Sequence, residues 1–156
     1  MRRPERELKN PETIRSLLEK IQVGRVATVN PNGYPVIKPV NFLFWEDRVY
    51  FHSSLKGEKI GDIQRGSNVC FEVDAPVGYV ATQGPACQAN YYYRSVILKG
   101  RASLVTDRER KQYYLEKLLA KYQPEGGFKE ISEEALEKTA LIEIVTDEIT
   151  AKENLG

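Results

Sequence analysis

The chain has 156 residues, of which 41 % are apolar, 23 are Lys or Arg and 22 are Asp or Glu. That length fits one domain over residues 1–156, and the apolar share supports a packed core, which excludes wholesale disorder. A net charge of +1 gives no basic field for nucleic acid, and no apolar run reaches the ~18–20 residues of a membrane span.

The opening stretch, Met1-Arg2-Arg3-Pro4-Glu5-Arg6-Glu7-Leu8, has no apolar segment behind its basic residues, so no secretory signal is expected and the cytoplasm is the expected compartment. Asn10-Pro11-Glu12 supplies an N-cap, a proline for the first helical position and an acid for the first turn. Ile14, Leu17, Leu18 and Ile21 follow as one apolar stripe of a helix expected to stop at Gly24. Strands are expected at 25–30 and 34–45, joined by the turn chemistry of Pro31-Asn32-Gly33. Pro35 and Pro39 cannot donate to a ladder, so the second strand must be an edge, or kinked where its pairing stops. Glu46-Asp47 turns the chain into a strand at 48–53, which completes a meander.

A short helix at 54–64 should turn Ile60 and Ile63 inward. A strand at 68–74 alternates Val69, Phe71 and Val73 against Cys70 and Glu72. Residues 75–90 read as a long irregular loop, and 91–105 as a long strand bent at Gly100. Thr106-Asp107-Arg108-Glu109 fits a capping box with Thr106 as the cap, opening a helix whose apolar face is Tyr114, Leu115, Leu118, Leu119 and Tyr122. A helical turn at 132–137 and a strand at 139–146 close the chain. Six strands with hairpin-type links and flanking helices imply a mainly β, α+β fold, with an antiparallel sheet curled into a small barrel.

Two cysteines and one histidine are too few for a disulfide scaffold or a four-ligand zinc site, so no metal is expected. Three clusters offer other chemistry. His52-Ser53-Ser54-Leu55-Lys56-Gly57-Glu58-Lys59 combines hydroxyls, a glycine and lysines at a strand end and helix start, which suits a phosphate or simply a capped helix with solvated lysines. Tyr91-Tyr92-Tyr93-Arg94-Ser95 can grip a phosphate and flank a planar ring, or form a strand with half-buried tyrosines. Around Lys38-Pro39-Val40-Asn41 the ladder is interrupted and backbone groups need another partner, from solvent or from a heterocycle. Cys70 reads as strand packing, Cys87 as a more exposed loop thiol, and Trp45 as packing or a subunit contact.

Gly24-Arg25-Val26-Ala27-Thr28-Val29, Pro39-Val40-Asn41-Phe42, Val49-Tyr50-Phe51-His52-Ser53, Val69-Cys70-Phe71-Glu72-Val73-Asp74, Tyr93-Arg94-Ser95-Val96-Ile97 and Gly100-Arg101-Ala102 occur in one order. From about Arg2 to Lys152 the chain resembles the nitroimidazole-resistance proteins, within the flavin-binding split β-barrels typified by pyridoxamine 5′-phosphate oxidase. The resemblance implies an FMN-binding homodimer with flavin at the subunit interface. It places Lys59 and Ser53, with Arg94 and Ser95, on the FMN phosphate, and the backbone of Pro39, Val40 and Asn41 along the isoalloxazine edge. Phe51 and His52 would line the cleft, and His52 would sit beside flavin and substrate, as proton donor or as a structural residue. Lys38, a sequence neighbour of this stretch, either brings its charge to the N1–C2 carbonyl edge or is pointed elsewhere by strand alternation. The implied activity is flavin-dependent reduction of small nitro or aromatic compounds, with a non-catalytic flavin or haem carrier as the alternative. After Lys152 only Glu153-Asn154-Leu155-Gly156 remain, without the Trp- and Arg-bearing C-terminal segment of the true oxidases, so vitamin B6 oxidation is not expected.

Overall fold

The computed structural model describes residues 3–156. Met1 and Arg2, which begin both the segment read above for a signal and the family resemblance, lie outside them.

Helix α1 (Pro11–Lys20) starts as its sequence dictates, with the Asn10 side chain accepting from the Thr13 N–H at 3.0 Å. Its stripe seals the barrel end: Leu18 is fully buried, and Ile14, Leu17 and Ile21 pack on the same core. The helix stops at Lys20 rather than Gly24. Gly24 belongs instead to β1 (Val23–Val29), where the Phe71 ring occupies the space a Cβ would need. The β1 strand turns through Asn30, whose Oδ1 accepts from the N–H groups of Asn32 and Tyr34 at 3.0 Å each, with Gly33 at φ 82°. It enters β2 (Pro35–Trp45) and then β3 (Arg48–Ser54), across a two-residue turn in which Glu46 and Asp47 both take left-handed φ.

Helix α2 (Glu58–Gln64) begins four residues later than expected, because Gly57 at φ 126° turns the chain and the Ser54 hydroxyl is spent on the Lys56 carbonyl at 2.7 Å. Ile60 and Ile63 do point inward. Strand β4 (Asn68–Val80) runs well into the segment expected to be irregular: after a bulge between Pro76 and Gly78 it stays paired with β5 (Asn90–Leu104) out to Val80 opposite Asn90. Only the short stretch 81–89 is non-strand. At Gly100 the β5–β6 register shifts as the expected bend requires, since a Cβ there would meet the Val145 carbonyl. Helix α3 (Arg108–Tyr122) is capped by Asp107, not Thr106: the Asp107 carboxylate accepts from the Arg110 N–H at 2.8 Å. A short α4 (Glu133–Lys138), capped by Ser132, leads into β6 (Thr139–Asn154), eight residues longer than its alternation foretells.

The strands close a barrel in the order β1-β2-β3-β6-β5-β4, every neighbouring pair antiparallel. Its interior is filled from all six strands by side chains such as Phe42, Phe51, Phe71, Leu98 and Ile142, with Phe42 and Phe71 in edge contact at 4.9 Å. A second core lies outside the wall, where Leu43, Tyr50 and Leu141 meet Tyr114, Leu115 and Leu118 of α3 and Leu136 of α4. Strand β6 therefore buries both faces, and a carboxylate, Glu143, is carried into the outer core. There it accepts from Arg48 at 2.7 Å, the Tyr50 hydroxyl at 2.8 Å and Arg110 at 3.0 Å. Burial alone would push this carboxyl up, but those donors outweigh it and hold the group below its usual range. Trp45 packs under Lys117, whose Nζ lies 4.9 Å from its ring centroid. Among the described residues no helix is long and apolar enough to cross a membrane.

Candidate functional site

The wall of the barrel opens along one line. Residues 35–41 of β2 pair with β1, whereas only Phe42–Trp45 pair with β3. Strand β3 keeps its pairing with β6 all the way to Ser54, so beyond Asn41 and His52 the two strands part and leave a slot. The prolines fit this geometry. The Phe42 N–H meets the Tyr122 hydroxyl, which also donates to the Gln22 carbonyl at 2.5 Å, so Phe42 faces the β1 side. Alternation then turns the amide positions of Pro35, Pro39 and Asn41 toward the other, open edge. Strand β2 is thus no simple edge strand: residues 35–41 pair with β1 and are open on the other side, and residues 42–45 pair with β3 instead.

Three basic side chains from three elements surround the slot. Lys59, at the start of α2, is half-buried with its Nζ 5.0 Å from the Phe51 ring centroid, and it has no carboxylate partner among the described residues. Burial lowers its pKa, and the charge of Lys38 lowers it further. Lys38, on β2, is only loosely paired, 3.9 Å from Glu58. The His52 imidazole is also pushed down, first by burial and then by Lys59. Ser53, beside it, is half-buried and its hydroxyl has no partner among the described residues. The charges of Lys38, Lys59 and His52 are therefore coupled through the slot, with no acid placed to neutralise Lys59.

On the outer side of the slot lies a cavity of about 370 Å³. Asn41, His52 and Thr139 form its polar floor, and Leu115, Leu118, Leu119, Tyr122 and Ile131 form an apolar wall. This wall was not foreseen as part of a site. The face of α3 reads simply as core, and only its extension to Leu119 and Tyr122, beyond what the sheet covers, hints at a second role. The rim is fixed by the last turn of α3. Besides the Tyr122 hydroxyl, Lys121 donates to the Ile21 carbonyl at 2.9 Å and lies over the Phe42 ring at 3.8 Å. Burial drops the Lys121 ammonium to about 8.

Of the residues expected to act together, Lys38, Pro39, Val40, Asn41, Phe51, His52, Ser53 and Lys59 all come from the strands and helix that bound the slot. Arg94 and Ser95 do not join them within one chain. Arg94 donates to Glu153 at 3.1 Å, and Ser95 sits in register between Asp74 and Lys152. Cys70 is half-buried in β4 and Cys87 exposed in the short turn Ala86–Gln88, both free thiols.

The barrel fold has counterparts among known proteins. The fold matches the FAD and heme binding protein from Mycobacterium smegmatis, with 22% identity, TM-score 0.88, and 97% of this chain and 74% of that one covered. It also matches the flavocytochrome Anf3 from Azotobacter vinelandii, with 25% identity, TM-score 0.87 and coverage of 100% and 72%. A candidate 5-nitroimidazole antibiotic resistance protein from Bacteroides thetaiotaomicron shares 24% identity at TM-score 0.80, with 94% and 85% covered. No curated protein shows detectable sequence similarity to the chain. The family model described as pyridoxamine 5′-phosphate oxidase matches residues 10–153. With nearly its whole length matched, the chain belongs to the pyridoxamine 5′-phosphate oxidase family.

Proposed function

We propose that this protein is a homodimeric FMN-dependent reductase of small nitro or aromatic compounds. The observation that carries the reading is Lys59: a half-buried ammonium with no carboxylate partner, beside the open edge of β2. A phosphate monoester supplies the missing anion, and the apolar cavity next to it suits a planar ring system. Structural relatives described as a flavocytochrome and as an FAD and heme binding protein support a flavin as the ligand.

In this reading Lys59 and Ser53 hold the phosphate, and Lys38 adds positive potential. Arg94 and Ser95, which stand apart from Lys59 within one chain, reach it from the partner subunit. The open edge formed by Pro39, Val40 and Asn41 presents backbone groups to the polar rim of the ring. When bound, the flavin supplies hydride or electron transfer. His52, with its pKa lowered, is neutral at neutral pH; it positions a reducible substrate through an N–H hydrogen bond, and gives up a proton only where the pH is low enough to charge it.

The visible spectrum of freshly purified protein tests the cofactor. Flavin bands are expected; a colourless protein that takes up no added FMN overturns the proposal, and a Soret band points to a haem carrier instead. Anaerobic reoxidation of the reduced protein by a nitroimidazole tests turnover. A rate no faster than that of free reduced FMN leaves a flavin carrier without catalysis. Sedimentation giving a monomer removes the role assigned to Arg94 and Ser95.

A further inference from the structure

A concave surface of about 400 Å³, away from the slot, is lined by Arg3, Arg6, Cys87, Asn90, Tyr93 and Lys152, together with the small Ala89. It is overwhelmingly polar and includes no acidic side chain. Two turns and the ends of two strands build it: Pro4–Arg6, Ala86–Gln88, the start of β5 and the end of β6. Of the nearby carboxylates, Glu7 pairs with Lys9 at 3.3 Å and Glu153 with Arg94 at 3.1 Å, and Glu5 is exposed and does not line the hollow. Arg3, Arg6 and Lys152 have no ion-pair partner among the described residues, and Arg6 and Lys152 are half-buried. The acceptor side of Asn90 is likewise committed: its Oδ1 accepts from the Tyr91 N–H at 3.0 Å and the Asn154 amide at 2.9 Å. The side chains lining the hollow are rich in donors: two guanidinium groups, an ammonium, the Asn90 amide N–H groups and the Tyr93 hydroxyl, which can donate or accept.

We infer that this hollow is a second binding site, for the phosphate group of a small phosphorylated molecule. Three fixed positive charges suit a dianion better than a monoanion, and the planar donor forks of two arginines match the oxygens of a phosphate. The hollow shares no residue with the slot, so the inference does not depend on the flavin reading. It does border Ser95, which pairs with Lys152. The test must therefore separate a new site from a part of the partner's flavin site.

Cys87 provides the readout, since it lines the hollow and the other thiol, Cys70, lies in β4 as an internal reference. The purified protein is alkylated with iodoacetamide, an uncharged reagent, at constant ionic strength, with inorganic phosphate or acetate added. Peptide mass spectrometry follows each cysteine, and visible absorbance follows any bound flavin. The expected result is saturable protection of Cys87 by phosphate, by about tenfold, as a bound dianion covers the thiol and disfavours its thiolate. Acetate protects far less, Cys70 is unaffected, and the flavin stays bound. Arg6→Gln and Arg3→Gln each remove the protection; both are exchanges at a surface turn, and unchanged thermal melting confirms that the fold is kept. Protection that is absent, equal with acetate or retained in both variants overturns the site. Phosphate that protects Cys87 only while displacing flavin also overturns it, by assigning the hollow to the partner's cofactor.

Discussion

The β4–β5–β6 side of the barrel and the β2–β3 side are built from the same kind of strand but hold different things. On the first side the ladders are long, with Asn68–Val80 paired to Asn90–Leu104 and that strand paired to β6 along most of its length. Behind that continuous wall Phe71, Val73, Val96 and Leu98 are fully buried. On the second side four residue pairs, Phe42 to Trp45 against Phe51 to Arg48, join the strands before they part. There the lining changes to Lys38, His52, Ser53 and Lys59. Stability is concentrated where the wall is closed, and in the reading proposed above the open side holds the charged ligand, because unpaired backbone and desolvated cations are tolerable only if something else satisfies them.

That contrast predicts separable effects. Phe71→Ala removes a fully buried ring that fills the interior and covers Gly24, and should cost about 3–5 kcal/mol in urea denaturation. The protein that remains folded should bind FMN as before; a large loss of affinity would mean that the two sides are not independent. Glu143→Gln strips the outer core of a carboxylate bound by Arg48, Tyr50 and Arg110, and should cost about 1–3 kcal/mol. Because the folded-state pKa of Glu143 is depressed, its contribution is present above the ordinary carboxylate range and is lost as pH falls through the folded value. The acid limb of a stability–pH curve should therefore be shallower in the variant, and superimposable curves would contradict the network.

On the open side, Lys59→Ala should leave stability nearly unchanged and weaken FMN by about 1–3 kcal/mol, through one lost charge-assisted contact. A fluorescence titration showing unaltered affinity removes Lys59 from the site. The smallest effect is also the sharpest. His52 is the only histidine in the chain, so its proton NMR titration is unambiguous. With the Lys59 charge gone, its pKa should move up toward the ordinary value, and a midpoint that stays put would show that the two groups do not sense each other.

Local chemistry made much of this legible. The Asn10 cap, the Asn30 turn and the bend at Gly100 depend on neighbouring residues and short-range sterics, and each lies where its sequence puts it. The grouping of His52, Ser53 and Lys59 was equally readable, since a strand end and the following helix are joined by only a few residues. Where local rules competed, reading failed. Thr106 and Asp107 are both good caps, and tertiary position chose Asp107. Gly24 looks like a helix stop, but the space beneath it is claimed by Phe71, 47 positions away by numbering. Residues 75–90 read as a loop, yet across a bulge at Val77 the chain stays paired with β5 out to Val80. Glu143, an outward position in an alternating strand, gives no sign that a helix will cover it. The cavity wall from α3 is hidden for the same reason: only the folded chain shows which apolar face outruns its sheet.

The phenol at the end of α3 has one more consequence. Its oxygen stands in for a missing rung between Gln22 and Phe42, so a single amide on β2 has its shelter supplied by a helix eighty residues away in sequence. Deuterium uptake at that one amide is accordingly a gauge of how firmly the helix is seated, and slower uptake once a ring system fills the neighbouring hollow would mean that the guest tightens its own doorway.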